Sequence, residues 1–398
     1  MKRLLCIALI LASFFAARAD RGVPEMKTVY EPRTVTIRCA GDFVMHMALV
    51  ASGQRAGTKT QPSFAHMLSE VKGYLSEADF TVTNVDGVMG DKAFVAKYGY
   101  SGYPAFSTPA ELIDDLRDCG VDMLTLANNH ALDLWYDGLK STVGSVEAAG
   151  LMSVGGYRTL EEKLTPRVVD IGGIRFGFLN YTDGLNQMDK RAALDKAALE
   201  YGVDFWERAD LKADIRRLKD AGAEIIVCFM HWGIEYRVEP CASQKQNAKI
   251  LADAGVDVII GGHPHYVERA EYIPTVDENG QSKQVLCLYS LGNFLTGQRG
   301  ERRDSGIIFD FTVTRDEEGR ITVSDPVYRT VWVWCMRRGD GNDYRVLFTD
   351  RDAQRPRGMS DADWKRMRES ALEIKQVMDA GCARLALEPE PEVEAPSR

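Results

Sequence analysis

Apolar runs typical of β-strands alternate with helical patterns from Thr34 to about Phe294, and this alternation restricts the fold more than any other feature of the sequence. Repeated strand–helix units favour a parallel sheet with helices packed on its faces. The helical patterns carry start signals. One helix is expected to begin with Thr108 as N-cap, Pro109 in the first turn and Glu111 completing a capping box. The sequence therefore predicts an α/β fold.

Residues 168–182 and 306–335 depart from the alternation. Each contains two apolar runs around a glycine-containing turn, which indicates a β-hairpin. An amphipathic helix is expected from about 361 to 380. Residues 387–398 are rich in Pro and Glu and predict a disordered acidic tail.

The first residues have the features of an export signal. Lys2 and Arg3 precede an apolar run, Leu4–Phe15, and a small-residue cleavage pattern, Ala17–Ala19. The run is shorter than the roughly 20 apolar residues that span a bilayer. We interpret residues 1–19 as a cleaved signal peptide, which predicts a secreted or periplasmic protein. An uncleaved N-terminal membrane anchor is the alternative.

The charge of the chain argues against nucleic acid as a partner. The formal net charge is −9, and cleavage of the signal peptide would remove three positive charges. Binding to nucleic acid needs clustered positive charge. Of the eight cysteines, all but Cys6 follow the signal segment, and none forms a CxxC pair. Buried thiols are therefore favoured over a disulfide scaffold, with a single disulfide as the alternative.

Polar side chains collect at the carboxyl ends of the predicted strands, and four of the six histidines belong to this set. In open α/β sheets, ligand sites form at the carboxyl ends of the strands. Each residue alone has an ordinary explanation as a turn or core residue, but their joint occurrence indicates a functional site. The set consists of Asp42, Asp86, Asn129, His130, His231, His263 and His265.

The segment Gly261–His265 indicates the chemistry of this site. Residues i and i+2 of an extended chain point to one face, and Pro264 favours an extended conformation in the residue before it. His263 and His265 are therefore expected to project together, and the two preceding glycines allow another backbone or a ligand to approach closely. Neutral imidazoles on one face indicate a metal site rather than a structural pair.

The remaining ligands are expected at neighbouring strand ends. Asp42 and Asp86 supply carboxylates there. Asn129 supplies an amide oxygen and His231 an imidazole. Together these donors would complete one or two adjacent sites, with Asp86 as the bridge, and paired metals of this kind activate a water for in-line attack. The donor set contains no thiolate, so the divalent transition metal that it would bind could be Mn, Zn or Fe.

Six short segments carry the polar residues at these strand ends. They are GD (41–42), NVDG (84–87), ANNHALD (127–133), HWGIEY (231–236), GGHPH (261–265) and YSLGNF (289–294). In this order they resemble the motifs of the CapA family of poly-γ-glutamate capsule synthesis proteins. The resemblance covers roughly residues 34–310 and implies a four-layer α/β/β/α sandwich, as in the calcineurin-like metallophosphoesterases. Residues 311–386 would add C-terminal strands and a helix packed on this domain.

The resemblance also implies roles for individual residues. Asn129 and the three histidines of the last motifs would be metal ligands. His130 would be the acid near the leaving group, and Asp133 would orient it or hold its charge. Glu235 and Tyr236 would line the substrate pocket, with surface or packing roles as the alternative.

Further substrate contacts are expected around the last motif. Asn293 lies within that motif, and Arg299, Arg302 and Arg303 follow it. Asn293 and Arg303 are interpreted as substrate-binding residues, because arginine binds carboxylates and phosphates well. A solvated loop is the alternative for the three arginines.

The chain differs from the family pattern near the expected metals. Asp86 stands where the family usually has glutamate, so its side chain is one methylene shorter. Met47 stands where the family usually has arginine, and Val44 where the phosphoesterases have histidine. His46 is a candidate for the missing donor. One of two metals is therefore expected to be weakly held.

Three functional hypotheses follow. The first is an extracytoplasmic, metal-dependent hydrolase-like protein in capsule or exopolymer synthesis or processing, acting on an anionic polymer such as poly-γ-glutamate. The second is a phosphoesterase for small phosphate esters. The third is a non-catalytic, metal-stabilised accessory subunit of exopolymer synthesis or export, with membrane-bound capsule synthesis proteins as partners. The ligand set and the acid-like His130 favour an enzyme that cleaves an amide or phosphoester bond.

Overall fold

Two β-sheets pack face to face, and helices cover both outer faces. The computed structural model describes residues 30–349 and 354–386. The α/β class and the four-layer α/β/β/α sandwich expected from the sequence are confirmed. The predicted signal peptide, residues 1–19, and the predicted acidic tail, residues 387–398, lie outside the described residues.

The elements are numbered here in chain order. The strands are β1 (Arg33–Val44), β2 (Phe80–Val85), β3 (Val88–Gly90), β4 (Ser107–Pro109), β5 (Met123–Thr125), β6 (Met152–Val154), β7 (Val168–Ile171), β8 (Ile174–Thr182), β9 (Ile225–His231), β10 (Val258–Gly262), β11 (Val267–Val276), β12 (Ser282–Leu291), β13 (Asn293–Thr296), β14 (Ser305–Arg315), β15 (Ile321–Arg338), β16 (Gly341–Phe348) and β17 (Arg384–Leu385). The α-helices are α1 (Met47–Ala56), α2 (Ala65–Leu68), α3 (Lys72–Leu75), α4 (Lys92–Tyr98), α5 (Glu111–Asp118), α6 (Trp135–Ala148), α7 (Leu160–Leu164), α8 (Leu211–Asp220), α9 (Ala242–Ala254) and α10 (Asp361–Met378). Short 3-10 or π turns lie at Met188–Lys190, Ala198–Gly202 and Trp206–Arg208.

The strand order brings the carboxyl ends of both sheets together. The first sheet has the order β16-β15-β14-β1-β2-β5-β6, with β13 against β1 and β17 against β15. The second has the order β11-β12-β10-β9-β8-β7. Neighbouring strands run parallel from β1 through β2 and β5 to β6, and from β8 through β9 and β10 to β12. Residues at the ends of these strands therefore share one edge of the sandwich.

The core between the sheets is built from alternating apolar residues of the central strands. Ile37 and Val82 from the first sheet pack in the same cluster as Phe178 and Val227 from the second, and all four are buried. Burial of apolar area in this layer is the main stabilising contribution to such a sandwich. Helix α10 contacts both β11 and β15, so it covers one side of the two sheets.

Both predicted hairpins are confirmed, as β7–β8 and β14–β15, and so is the C-terminal helix, as α10. The proposed limit between residues 310 and 311 falls inside β14. The predicted N-cap at Thr108 is wrong. Thr108 lies in β4 and pairs with Met89 of β3, and α5 begins after Ala110 without a side-chain cap. The short β3–β4 sheet therefore holds Thr108 in an extended conformation, outside the helix.

The described part of the chain has neither a disulfide nor a membrane-spanning helix. Its seven cysteines are free thiols. None of its helices combines the length and apolarity needed to cross a bilayer.

Two glycines of α6 are expected to respond oppositely to alanine. A Cβ at Gly144 would have no atom within 4 Å, whereas a Cβ at Gly138 would lie 2.9 Å from Cγ2 of Val88. Gly144→Ala should raise the free energy of unfolding by about 0.5–1 kcal/mol, because alanine loses less backbone entropy in a helix. Gly138→Ala should lower it by about 1–3 kcal/mol through overpacking. Urea unfolding of both variants checks this, and equal stability would contradict the packing of α6 on β3.

Candidate active site

The predicted metal ligands meet where the carboxyl ends of the two sheets adjoin. Asp42 and Asp86 come from the ends of β1 and β2, and His231 is the last residue of β9. The close approach depends on Gly261. A Cβ there would lie 1.8 Å from the carbonyl oxygen of Tyr289, so only glycine fits, as the sequence pattern indicated.

One group of donors surrounds His231. Its Nε2 lies 2.8 Å from Oδ1 of Asn129, 3.2 Å from Nδ1 of His263 and 3.8 Å from Oδ1 of Asp86. His231, Asn129 and Asp86 are buried. An amide oxygen, a second imidazole and a carboxylate therefore lie next to the His231 ring at the end of the sandwich.

A second, adjoining group surrounds Asp42. The backbone N–H of His263 donates to its Oδ2 over 3.0 Å, and Asn84 donates to its Oδ1 over 2.8 Å. Nδ1 of His265 lies 3.8 Å from the same carboxylate and 3.1 Å from Oδ1 of Asn293. His263 therefore contacts both groups: its ring lies beside His231, and its backbone N–H donates to Asp42.

The prediction that His263 and His265 lie in an extended segment is wrong, although their side chains do lie together. Strand β10 ends at Gly262, and the two histidines have φ angles of +96° and +58°. Their ring centroids are 6.2 Å apart. Positive φ is unfavourable for residues with a Cβ, so the turn around Pro264 is held by its surroundings, including the hydrogen bond from His263 to Asp42.

Burial shifts the pKa values of these groups in the direction that favours their neutral forms. It lowers the pKa of His263 to about 4 and that of His265 to about 3, and it lowers the pKa of His231 well below its usual value. The imidazoles are therefore neutral near pH 7 and have a free lone pair for a metal. Burial also raises the pKa values of Asp42 and Asp86.

The side chain of Asp86 is the main reason why these residues fit a divalent metal. Both carboxylate oxygens of Asp86 are buried, and neither has a hydrogen-bond partner in the described part of the chain. An isolated buried carboxylate is costly unless a cation compensates it. Within residues 30–349 and 354–386, no three His, Cys, Asp or Glu side chains are already arranged around a common ion position. The donors contact one another in pairs instead.

His130 lies beside this cluster and is paired with a carboxylate. Its Nδ1 is 2.7 Å from Oδ2 of Asp133, and that oxygen also accepts the backbone N–H of Phe106 over 2.7 Å. Burial lowers the pKa of His130, but the charges of Asp86 and Asp133 and the hydrogen bond to Asp133 outweigh it, and the net pKa is raised. The pairing expected from the three-residue spacing is present, formed in the turns before α6.

The residues predicted to bind substrate lie on the His265 side of the site. The ring centroid of Tyr236 is 5.8 Å from that of His265, and the guanidinium of Arg303 lies 5.7 Å from the Tyr236 ring centroid. Glu235 is exposed beside them. Asn293 is fully buried, and its amide donates to the carbonyl of Arg303 over 2.8 Å. Asn293 therefore holds the backbone of the Arg303 segment in place through this hydrogen bond.

The other residues singled out from the sequence lie at the edges. His46 accepts the backbone N–H of Gly297 at Nδ1 over 3.3 Å, and its ring packs edge-on against Phe106. Met47 is exposed. Nε of Arg302 lies 3.7 Å from Glu373 on α10. The Phe106 ring lies between His46 and His130 and packs against both, so His46 lies at the His130 side of the site.

Sequence reasoning missed three residues. Asn84 bonds to Asp42, and alternation along β2 could have revealed it, because Asn84 and Asp86 are two residues apart. Asn186 lies 3.2 Å from the Asn129 amide and 3.2 Å from Nδ1 of His130. It comes from the loop after β8, and no local pattern marks it. Gln298 donates to the Tyr236 hydroxyl over 3.2 Å.

Comparison with known proteins was made on sequence and on structure. The family model "Bacterial capsule synthesis protein PGA_cap" matches residues 36–298. "Capsule biosynthesis protein CapA" of Bacillus anthracis is 26% identical over 307 residues, covering 76% of this chain and 70% of that protein. "PGA biosynthesis protein CapA" of Bacillus subtilis is 26% identical over 322 residues, covering 79% and 77%.

Two further matches are more limited. A "Probable polyglutamine synthesis accessory protein" of Mycobacterium tuberculosis is 29% identical over 147 residues, covering 35% of this chain and 38% of that protein. The structure of the Haemophilus influenzae NAD nucleotidase is similar with a TM-score of 0.46 and 13% identity, covering 89% of this chain and 57% of that one. The chain thus spans a little over half of the nucleotidase.

Proposed function

We propose a function on the premise that this chain belongs to the family of bacterial capsule synthesis proteins described as PGA_cap, whose model matches residues 36–298. The two CapA relatives connect it with capsule synthesis based on poly-γ-glutamate. We propose that it is exported through residues 1–19 and acts outside the cytoplasm. Its activity there is that of a metal-dependent hydrolase on an anionic exopolymer such as poly-γ-glutamate, in synthesis or processing.

The buried carboxylate of Asp86 carries this proposal. Its two buried oxygens lack partners in the described part of the chain, and His231 is 3.8 Å away. A structural carboxylate at this depth would be hydrogen-bonded or paired. Neutral imidazoles and an amide oxygen beside it form the mixed N/O donor set that Mn, Zn or Fe accepts.

Two adjoining groups of residues would hold the metal. Asp86, Asn129, His231 and His263 form the first group, and Asp42 and His265 belong to the second. A bound divalent ion supplies a Lewis acid and lowers the pKa of a coordinated water.

His130 would transfer the proton. Asp133 engages Nδ1, so exchange with a leaving group falls to Nε2. The Phe106 N–H fixes the same Asp133 oxygen and thereby the orientation of the ring. A neighbouring carboxylate favours the cationic, proton-donating form of the imidazole.

Tyr236 and Arg303 would bind the polymer beside the reacting bond. Arginine pairs well with carboxylates, and Arg303 lies over the Tyr236 ring on the His265 side. Each residue of a poly-γ-glutamate chain carries one free carboxylate, so a neighbouring carboxylate would reach Arg303 while an amide bond lies near His130.

A substrate screen tests the proposal. The purified protein is loaded with Mn²⁺, Zn²⁺ or Fe²⁺ and incubated with a γ-linked glutamate oligomer and, separately, with p-nitrophenyl phosphate. We expect metal-dependent shortening of the oligomer, and its loss in Asp86→Asn, which keeps the size but removes the charge. Asp114→Asn, on the exposed face of α5, is the matched control and should behave as wild type.

The other outcomes of the screen identify the alternatives. Hydrolysis of p-nitrophenyl phosphate alone would favour the small-molecule phosphoesterase. Inactivity towards both substrates, together with normal capsule production by cells carrying Asp86→Asn, would favour the accessory role and overturn the proposed hydrolase.

A further inference from the structure

A second polar cleft lies behind the segment that carries Arg303. Its volume is about 390 Å³, within the range of ligand pockets. Residues 299–304, β15, β16 and helix α10 form its walls, and its charged and hydrogen-bonding lining comprises Arg299, Arg337, Arg366, Trp332, Asn342, Asp304 and Asp363. None of these residues belongs to the two donor groups of the candidate active site.

Arg299 is a half-buried cation without a counterion. Its Nη1 and Nη2 donate to the carbonyls of Val333 and Thr296 over 2.5 and 2.8 Å, and its Nε is buried without a partner. In the described part of the chain, no carboxylate lies within ion-pair distance of it. Burial lowers the pKa of Arg299 by more than the charges of Asp304 and Asp363 raise it, and the guanidinium lies 5.4 Å from the Tyr344 ring centroid. Buried charges are normally paired.

Trp332 adds an independent sign of a missing acceptor. Its side chain is only 3% exposed, and its indole Nε1 has no hydrogen-bond partner among the described residues. Buried indole N–H groups usually find an acceptor. Arg299 and Trp332 thus leave two unsatisfied donors on the walls of one cleft.

The charge of the cleft favours an anion. Arg366 is partly neutralised, because its Nη1 lies 3.1 Å from Glu373 and its Nη2 lies 3.6 Å from Asp304. Arg337 is exposed and has no ion pair in the part of the chain that the structure describes. Asp363 is occupied with the hydroxyl of Ser360, which donates to it over 2.8 Å. The lining therefore has three guanidiniums against the carboxylates of Asp304 and Asp363, an excess of one positive charge.

We propose that this cleft binds the oxyanion group of a carboxylate- or phosphate-bearing ligand. Guanidinium and indole N–H groups are donors only, so a ligand must supply the acceptors. Planar oxyanions match the guanidinium fork. The inference does not depend on the activity proposed for the metal-binding site, since the two sites share no side chain.

Titration calorimetry on the full-length protein tests the cleft with three probes, sodium phosphate, sodium glutarate and a γ-linked glutamate oligomer. We expect saturable binding of at least one probe. Trp332→Phe and Arg337→Gln should each weaken it roughly tenfold, the effect of losing one hydrogen bond to a charged group. Binding of phosphate alone would identify a phosphate-bearing ligand, and binding of glutarate and the oligomer alone would identify a carboxylate-bearing ligand.

Two variants control the location. Arg338→Gln removes the same charge from the neighbouring position of β15, which is not part of the cleft lining, and should bind as wild type. His263→Ala should also retain binding. Trp332→Phe leaves a cavity in the apolar cluster that Trp332 forms with Trp334 and Met367, so it should unfold at a lower temperature than wild type, and its binding is measured below that transition.

Three results would overturn the proposal. The first is the absence of saturable binding by all three probes. The second is wild-type affinity in both Trp332→Phe and Arg337→Gln. The third is loss of binding in His263→Ala with retention in the cleft variants, which would assign the anion to the metal-binding site.

Discussion

Replacing His263 and His265 together by alanine is expected to remove the bound metal. His263 contributes its ring to the group around His231 and its N–H to Asp42, and His265 adjoins the same carboxylate. Even partners that only orient metal ligands contribute about 10–100-fold to affinity. Loss of two ligands should therefore weaken binding by at least about 100-fold, and elemental analysis after dialysis should find little metal.

His66→Ala is the matched control for metal content. It removes a histidine that lies outside the cluster, where Nε2 is 2.9 Å from Asp343. This variant should keep the wild-type metal content. Wild-type metal content in the double variant would refute the assignment of the ligands. Equal loss in both variants would indicate general destabilisation instead.

Replacing His130 by alanine is expected to abolish most turnover while the metal stays bound. Its ring is held by Asp133 beside the donors, and general acid catalysis of this kind contributes typically about 10²–10⁴-fold in rate. Single-turnover rates on the substrate found in the screen would show a fall of that size. Elemental analysis of the same sample should show unchanged metal.

His130→Asn separates proton transfer from packing. Asparagine still forms hydrogen bonds to Asp133 and Asn186 but cannot become a cation, so it should be about as slow as alanine. Recovery of turnover by asparagine would show that His130 acts by positioning alone. Full capsule production by cells carrying metal-replete His130→Ala would argue against catalysis altogether and for the accessory role.

Local pattern predicted much of the site and the fold. Alternation and glycine stops identified the α/β class, and the polar residues at strand ends predicted that Asp42, Asp86 and His231 lie close together, because parallel strands bring their carboxyl ends to one edge. The i, i+3 spacing of His130 and Asp133 was sufficient for their contact. Each of these inferences depends on neighbours within a few residues or on the direction of a strand.

Local pattern was misleading where non-local contacts override it. Thr108 has the signature of an N-cap, but its backbone pairs with β3, which lies about twenty residues earlier. Pro264 favours an extended His263, but the hydrogen bond to Asp42 and the surrounding packing hold a turn with positive φ. Propensity contributes tenths of a kcal/mol per residue, and such contacts can exceed it.

By itself the sequence determined the order of strands and helices and the residue types at the strand ends, because these are encoded in periodicity and in turn residues. Only the tertiary structure decided which of those ends meet across the two sheets, that Asn186 joins His130, and that Arg299 and Trp332 line one cleft. The first kind of information resides in the spacing of side chains along one strand or helix. The second depends on how two sheets and a C-terminal helix pack, and contacts between residues far apart in the chain leave no local pattern in one sequence.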